Sequence, residues 1–369
     1  MAPSRLLPLL VLACAAHAAE PVRIGFFMSI TGRDASFGEA SLNGARVAVD
    51  AINAAGGVLG RPVEFVVEDN RSLDGESATA AKKLISRDRV VALVGECASS
   101  RTLEAAAVAQ AARVPLVSPA STSPRVTRVG DEIFRVCFTD AFQGRVLASF
   151  AYGRGLRRAA LLVDAGAPYS VGLADAFARN FRALGGRITG DEKYASADID
   201  FRAQLTALRS AHPDALVVPG YYVAAGLAAR QARDLGLNAT LLGGDGFEAP
   251  QLVDIGGSAL EGAYYSTHFS AGSPDPEARR FTALFRARFG SDPNGLSALT
   301  YDAVRLVADA VRRAGGTDRE AVRRALAATR DFAGATGPTT FGASRDAQKA
   351  AAIVTIRGGR PVFVEEVRP

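Results

Sequence analysis

The chain has 369 residues, 48% of them hydrophobic, enough to bury two sizeable cores, and two domains is the expectation for that length. The formal charge of +5 is dispersed along the chain, without an Arg/Lys run or a basic patch interleaved with aromatics, which argues against a nucleic-acid partner.

The first residues read as a targeting segment. Arg5 supplies a positive end, Leu6 to Ala16 an apolar core too short to span a bilayer, and Ala16-His17-Ala18 a small-x-small cleavage site. Residues 1–19 are therefore expected to be a signal peptide and the mature protein an exported, soluble one. Val11-Leu12-Ala13-Cys14 offers a rival reading, a lipoprotein processing site whose cysteine would carry a lipid. Export would place Cys97 and Cys137 in a disulfide-permissive compartment, and the sequence leaves open whether they pair or are two half-buried thiols.

From Pro21 onward, strand and helix patterns alternate. Val22 to Ile30 is a strand, a loop reaches Gly38, and a helix follows to Ala55 with Leu42, Ala45, Val49 and Ile52 on one face. Gly56-Gly57 ends it; Arg61 to Glu68 is a strand and Ser77 to Arg87 a helix. The apolar run Val90 to Val94 breaks at Gly95, a helix starts near Ser99 and Ser100, and Val114 to Val117 runs into the loop Ser118 to Pro124. These four parallel strands with crossover helices make a doubly wound lobe.

A second series of the same kind begins near Asp140. It comprises a helix Phe142 to Tyr152, a strand Arg158 to Val163, a loop holding Tyr169, a helix Ser170 to Leu184, a strand Gly186 to Tyr194 and a helix Phe201 to Ser210. A strand Ala215 to Gly220, a loop opened by Tyr221 and Tyr222, a helix Ala224 to Leu235 and a strand Thr240 to Gly244 ending at Asp245 complete it. The stretch Ser270 to Pro276 reads as a crossing segment, and three helices and a hairpin turning at Gly358-Gly359 follow. The expected fold is α/β: two doubly wound, Rossmann-like lobes joined by a hinge that the chain crosses several times. The boundaries are drawn at 20–139 plus 270–345 for the N-terminal lobe and 140–269 plus 346–369 for the C-terminal lobe.

The two series share a layout. Ser99 and Thr122 lie 23 positions apart in the first, Tyr221 and Asp245 24 apart in the second, each at a strand's carboxyl end, where open α/β sheets bind ligands. Ser99 and Thr122, with N–H groups at a helix start, suit a carboxylate, and Asp245, read as an exposed cleft acid, suits an ammonium group. Tyr169, Tyr221 and Phe37 suit apolar walls. Each has a plainer alternative: Ser99 as a helix cap, Thr122 and Ser118 as turn residues, Tyr221 as core, Asp245 as a turn residue. His212 and His268 lack metal-ligand spacing and read as structural. No G-x-S-x-G elbow, P-loop or strand-anchored G-x-G-x-x-G occurs, and the glycines at 243, 244 and 246 read as a strand-ending turn. The expectation is a non-enzymatic binder of a small zwitterion that uses no cofactor or metal.

The sequence resembles the branched-chain amino-acid binding-protein family, the type I periplasmic binding proteins that serve ABC importers. Ile52-Asn53-Ala54-Ala55-Gly56-Gly57-Val58-Leu59-Gly60-Arg61, Val94-Gly95 with Ser99-Ser100, Ser118-Pro119-Ala120, Gly220-Tyr221-Tyr222 and Tyr301-Asp302-Ala303-Val304 carry the resemblance. It implies two hinged lobes that close on a ligand and dock, as a monomer, on a membrane permease in the periplasm. It further implies that Ser99, Ala120 (through its backbone) and Thr122 hold the carboxylate, that Tyr169 and Tyr221 are the second lobe's aromatics, that Asp245 meets the α-ammonium, and that Phe37 lines the side-chain pocket. Asp stands where leucine-type binders carry Glu, and Arg101 beside the serine pair is a departure that would favour an acidic or amine-free ligand. The implied function is capture of an aliphatic or aromatic amino acid for an ABC transporter; the alternative is a sensor of the same fold binding an amide or aromatic acid.

Overall fold

The computed structural model describes residues 20–369; the expected signal segment and Cys14 lie outside the described residues. In the first lobe, β1 (Val22–Met28), α1 (Ala35–Ala54), β2 (Val63–Asp69), α2 (Glu76–Ser86), β3 (Ala92–Val94), α3 (Ser99–Ala111), β4 (Leu116–Ser118) and β5 (Ile133–Arg135) follow in order. The five strands pair in the order β2-β1-β3-β4-β5, every pair parallel. Six of the seven residues of β1 are buried, as befits a parallel strand covered on both faces. The fifth strand is one more than the sequence pattern predicts. It is only three residues long, preceded by Asp131 and Glu132 and ending on Arg135, so its apolar run is too brief to register.

The second lobe holds α4 (Asp140–Gly153), β6 (Arg158–Asp164), α5 (Pro168–Ala183), β7 (Arg187–Tyr194), α6 (Arg202–Ser210), β8 (Ala215–Val217), α7 (Tyr222–Asp234), β9 (Thr240–Gly243), α8 (Gln251–Gly256) and β10 (Tyr264–Thr267). Helices α9 (Pro276–Phe289), α10 (Gly295–Ala314) and α11 (Arg319–Ala327) follow, then the hairpin β11 (Ala351–Arg357) and β12 (Arg360–Val367). The hairpin joins antiparallel to β10 and completes a seven-stranded sheet, β12-β11-β10-β9-β8-β6-β7. The chain thus leaves one sheet for the other after β5, after β10 and before β11.

Two devices fix how α10 sits. Asn294 and Ser297 form a capping box that starts the helix at Gly295. Gly44 of α1 faces Ser297 of α10 so closely that a Cβ would stand 2.0 Å from the Ser297 carbonyl oxygen, and only glycine lets the two helices meet. The helix is thereby held beside the carboxyl ends of the first sheet, and its first turn points across to the second lobe.

Candidate functional site

Every candidate side chain sits at the carboxyl end of a parallel strand or in the first turn of the helix that follows. Phe37 lies in the first turn of α1, and Tyr169 lies in the first turn of α5, not in the loop that the sequence pattern assigns to it. Pro168 at the start of α5, with its fixed φ, extends the helix back over Tyr169. Asp245 opens a short 3₁₀ turn, Asp245–Phe247, directly after β9.

These ends face one another across a nearly closed cavity of about 10 Å³, room for little more than one water. Phe37, Cys97, Ala120 and Leu296 line it from the first lobe, and Tyr169, Tyr221, Asp245 and Gly246 from the second. The rings of Tyr169 and Tyr221 stack in parallel, with centroids 5.3 Å apart and planes 4° apart. Phe37 meets Tyr221 edge-on at 5.6 Å across the lobes, and the Tyr222 hydroxyl donates to the Arg33 carbonyl at 2.7 Å, a second link between lobes. The glycines after β9 serve this packing. A Cβ on Gly244 would lie 2.4 Å from the Tyr169 hydroxyl, and one on Gly246 would lie 2.5 Å from the Gly220 carbonyl oxygen. The Gly246 N–H donates to the Tyr169 hydroxyl at 3.1 Å.

Ser99 and Thr122 are buried but stand off this wall. Ser99 Oγ accepts from the Ser123 N–H at 3.3 Å and makes no capping bond to α3, whose N-cap is Ala98. The Thr122 carbonyl accepts the Asp140 N–H at 3.0 Å. Ser118 does play the turn role weighed for it, accepting from the Ser121 N–H while donating to the Glu96 carbonyl.

Two expectations need correcting. Asp245 is 5% exposed, a buried acid and not an open cleft residue, because Gln143 Nε2 donates to its Oδ1 at 2.9 Å and His268 Nε2 faces its Oδ2 at 3.0 Å. His268, read as merely structural, therefore belongs to the site's surroundings; its ring stacks on Phe138 with centroids 3.6 Å apart. Arg101 is likewise not a free cation. Its Nη2 pairs with Asp34 at 2.5 Å and its Nε with Glu96 at 3.2 Å, all three groups being buried. Burial works against the Arg101 charge, but the Glu96 and Asp34 carboxylates outweigh it and raise its pKa. Burial alone would push the Glu96 carboxyl up; the Arg101 guanidinium and bonds from Ser29, Asn70 and the Ala98 N–H outweigh that and hold it below its ordinary value.

Asp140, at the start of α4, is a different acid. Burial pushes its carboxyl up to about 8, with Asp245 adding to the rise and Thr122 and Arg135 opposing it. The rise favours its neutral form, and it is Asp245, not Asp140, that lines the cavity. Cys97 and Cys137 are both free and buried, and burial raises both thiols above their ordinary value. Among the described residues no cluster of His, Cys, Asp or Glu has the makings of a metal site, and no helix is long and apolar enough to cross a membrane. Cys97, Leu296, Gly246, Gln143 and His268 were beyond sequence reasoning. Cys97 and Gly246 carry a local signal, two positions before Ser99 and one after Asp245; the others reach the site through tertiary packing.

Comparison with known proteins agrees with this fold. Residues 21–360 match the family described as periplasmic binding protein. The chain is 33% identical over 339 residues to the Leu/Ile/Val-binding protein BraC3 of Rhizobium johnstonii, covering 91% of each. Among solved structures it is similar to the leucine binding protein LivK of Thermotoga maritima, with 38% identity, a TM-score of 0.91 and coverage of 94% of this chain and 99% of that one. It is also similar to the branched-chain amino acid transporter substrate binding protein LivJ of Streptococcus pneumoniae, solved in complex with isoleucine. There the identity is 35%, the TM-score 0.90 and the coverage 95% and 100%.

Proposed function

The chain belongs to the periplasmic binding protein family, and from that premise we propose that it captures an aliphatic or aromatic amino acid between its lobes in the periplasm and delivers it to an ABC transporter permease. The observation that carries the reading is the pairing of a buried Asp245 on the cavity wall with an Arg101 already spent on Glu96 and Asp34. Arg101 offers Asp245 no charge, and an α-ammonium group would bring one to the side that Gln143 and His268 leave open. Its carboxylate would meet the Ala120 N–H and the hydroxyls of Ser99 and Thr122 near the start of α3, where backbone N–H groups and the helix dipole favour an anion. Neither hydroxyl lines the cavity, so this assignment requires the wall between them and the ligand to open. Tyr169 and Tyr221 would cover the ligand from the second lobe, and Phe37, Cys97 and Leu296 would line an apolar side-chain pocket.

An amine-free acid fits worse, because its carboxylate would share the cavity with the Asp245 carboxylate. Binding from both lobes is realised only when they are closed, so ligand would shift the population toward closure. We place the lobe boundaries at 20–139 plus 270–345 and 140–269 plus 346–369, take residues 1–19 as the export signal, and assign the protein no catalysis. Homologues named for Leu, Ile and Val, and a neighbour holding isoleucine, support the ligand class.

The test is a thermal-shift screen after unfolding and refolding the protein to strip carried-over ligand. Binding to the folded state raises the melting temperature by mass action. Stabilisation by leucine, isoleucine, valine or phenylalanine is expected; stabilisation by benzoates or other amine-free acids alone would overturn the amino-acid reading.

A further inference from the structure

We propose that His268 and Gln143 are positioning residues for the Asp245 carboxylate, and that by aiming it they set the affinity of the site for an α-ammonium group; the inference rests on the amino-acid reading above. Three separate elements converge here. Gln143 comes from the first turn of α4, Asp245 from the turn after β9, and His268 from the end of β10, where the chain leaves the second sheet. Gln143 is fully buried and His268 is 5% exposed.

Each carboxylate oxygen receives one of the two side chains: Oδ1 the Gln143 Nε2 at 2.9 Å, Oδ2 the His268 Nε2 at 3.0 Å. A two-point hold stops the carboxylate from rotating about its Cβ–Cγ bond. An ionised carboxylate has about four acceptor positions, so the hold leaves lone pairs directed at the cavity. It also calls for a proton on the histidine nitrogen that faces it: a carboxylate oxygen accepts, so Nε2 is the donor.

The remaining atoms of both side chains explain why this is more than packing. His268 Nδ1 and Gln143 Oε1 are both buried without a hydrogen-bond partner. Each side chain thus makes one polar bond, to Asp245, and leaves its other polar atom unsatisfied, a cost that an apolar side chain of the same shape would not incur. The Phe138 ring, stacked on the imidazole, is an apolar surface that asks for no polar partner. For the fold alone, apolar residues serve better at both positions. The bond to Asp245 is what the polar ones add.

The experiment uses calorimetry on the purified protein with L-leucine and its desamino counterpart isocaproate as probes, on the wild type, His268→Phe, His268→Gln and Gln143→Leu. His268→Phe and Gln143→Leu are expected to weaken L-leucine by about tenfold or more, with unfolding temperatures unchanged or raised and isocaproate binding unmoved. His268→Gln keeps a donor near the Nε2 position and is expected to stay within about threefold of wild type. A folded His268→Phe protein that binds L-leucine as well as wild type overturns the proposal, as does a His268→Gln protein as weak as His268→Phe. A two-bond proton–nitrogen NMR spectrum reads the tautomer without any ligand: an Nε2–H imidazole is expected and an Nδ1–H one overturns the proposal. Failure of the wild-type protein to bind any amino acid would instead overturn the reading it rests on, and the tautomer would still report whether His268 donates to Asp245.

Discussion

Glu248 offers the sharpest test of the closed arrangement. It follows β9 in the second lobe, yet its Oε1 accepts the N–H of Gly295, the first residue of α10 in the first lobe, at 2.6 Å, while Thr267 Oγ1 donates to its Oε2. Burial pushes this carboxyl from 4.5 up to about 7, with the charge of Asp245 adding to the rise and the bonds from Thr267 and Gly295 opposing it. A raised pKa means that the folded protein keeps a proton that the unfolded chain releases near pH 4.5. The stability that this contributes is complete below that pH and is lost as the pH climbs to about 7. At roughly 1.4 kcal/mol per pH unit per proton, the loss amounts to about 3 kcal/mol across the window. Glu248→Gln keeps the acceptor for Gly295 and removes the titration. Urea unfolding followed by circular dichroism at several values between pH 4.5 and 7.5 should show a shallower decline for the variant than for wild type. Asp140, raised in the same sense to about 8, leaves a residual slope that Asp140→Asn should remove in turn. An unchanged slope in Glu248→Gln would refute the reasoning.

Two further substitutions probe the site's frame. Gly246→Ala would set a methyl 2.5 Å from the Gly220 carbonyl oxygen and 3.1 Å from ring atoms of Tyr169 and Tyr221, so the turn carrying Asp245 must move. A destabilisation of about 1–3 kcal/mol with loss of ligand binding is expected by denaturation and calorimetry. Arg101→Met would strand two buried carboxylates, Glu96 and Asp34, and should cost about 3–5 kcal/mol of stability in urea unfolding. A small effect there would mean that Arg101 is free to serve a ligand after all.

Much of the scaffold is legible in the sequence because parallel strands buried on both faces leave continuous apolar runs, as Phe26 to Met28 and Leu161 to Val163 do. The hairpin turn at Gly358-Gly359 is legible for a local reason as well, since both glycines adopt positive φ. What escapes local reading is pairing over distance. Asp245 meets Gln143 102 positions away and Arg101 meets Asp34 67 positions away, so neither the burial of the acid nor the neutralisation of the arginine can be inferred from spacing. Leu296 reaches the cavity only because Gly44 lets α10 sit against α1. Tyr169 lies one residue inside a helix that Pro168 starts early, a boundary that propensity places within a residue or two at best.

The most direct test of the central claim is the calorimetric affinity for L-leucine of wild type and Asp245→Asn, with isocaproate as the control. Asparagine preserves the shape, and His268 can present its other tautomer to the new amide, so the fold should stand. Loss of the charge that meets the α-ammonium should weaken L-leucine by about 2–5 kcal/mol and leave isocaproate no weaker than before. An Asp245→Asn protein that binds L-leucine as tightly as wild type would contradict the account.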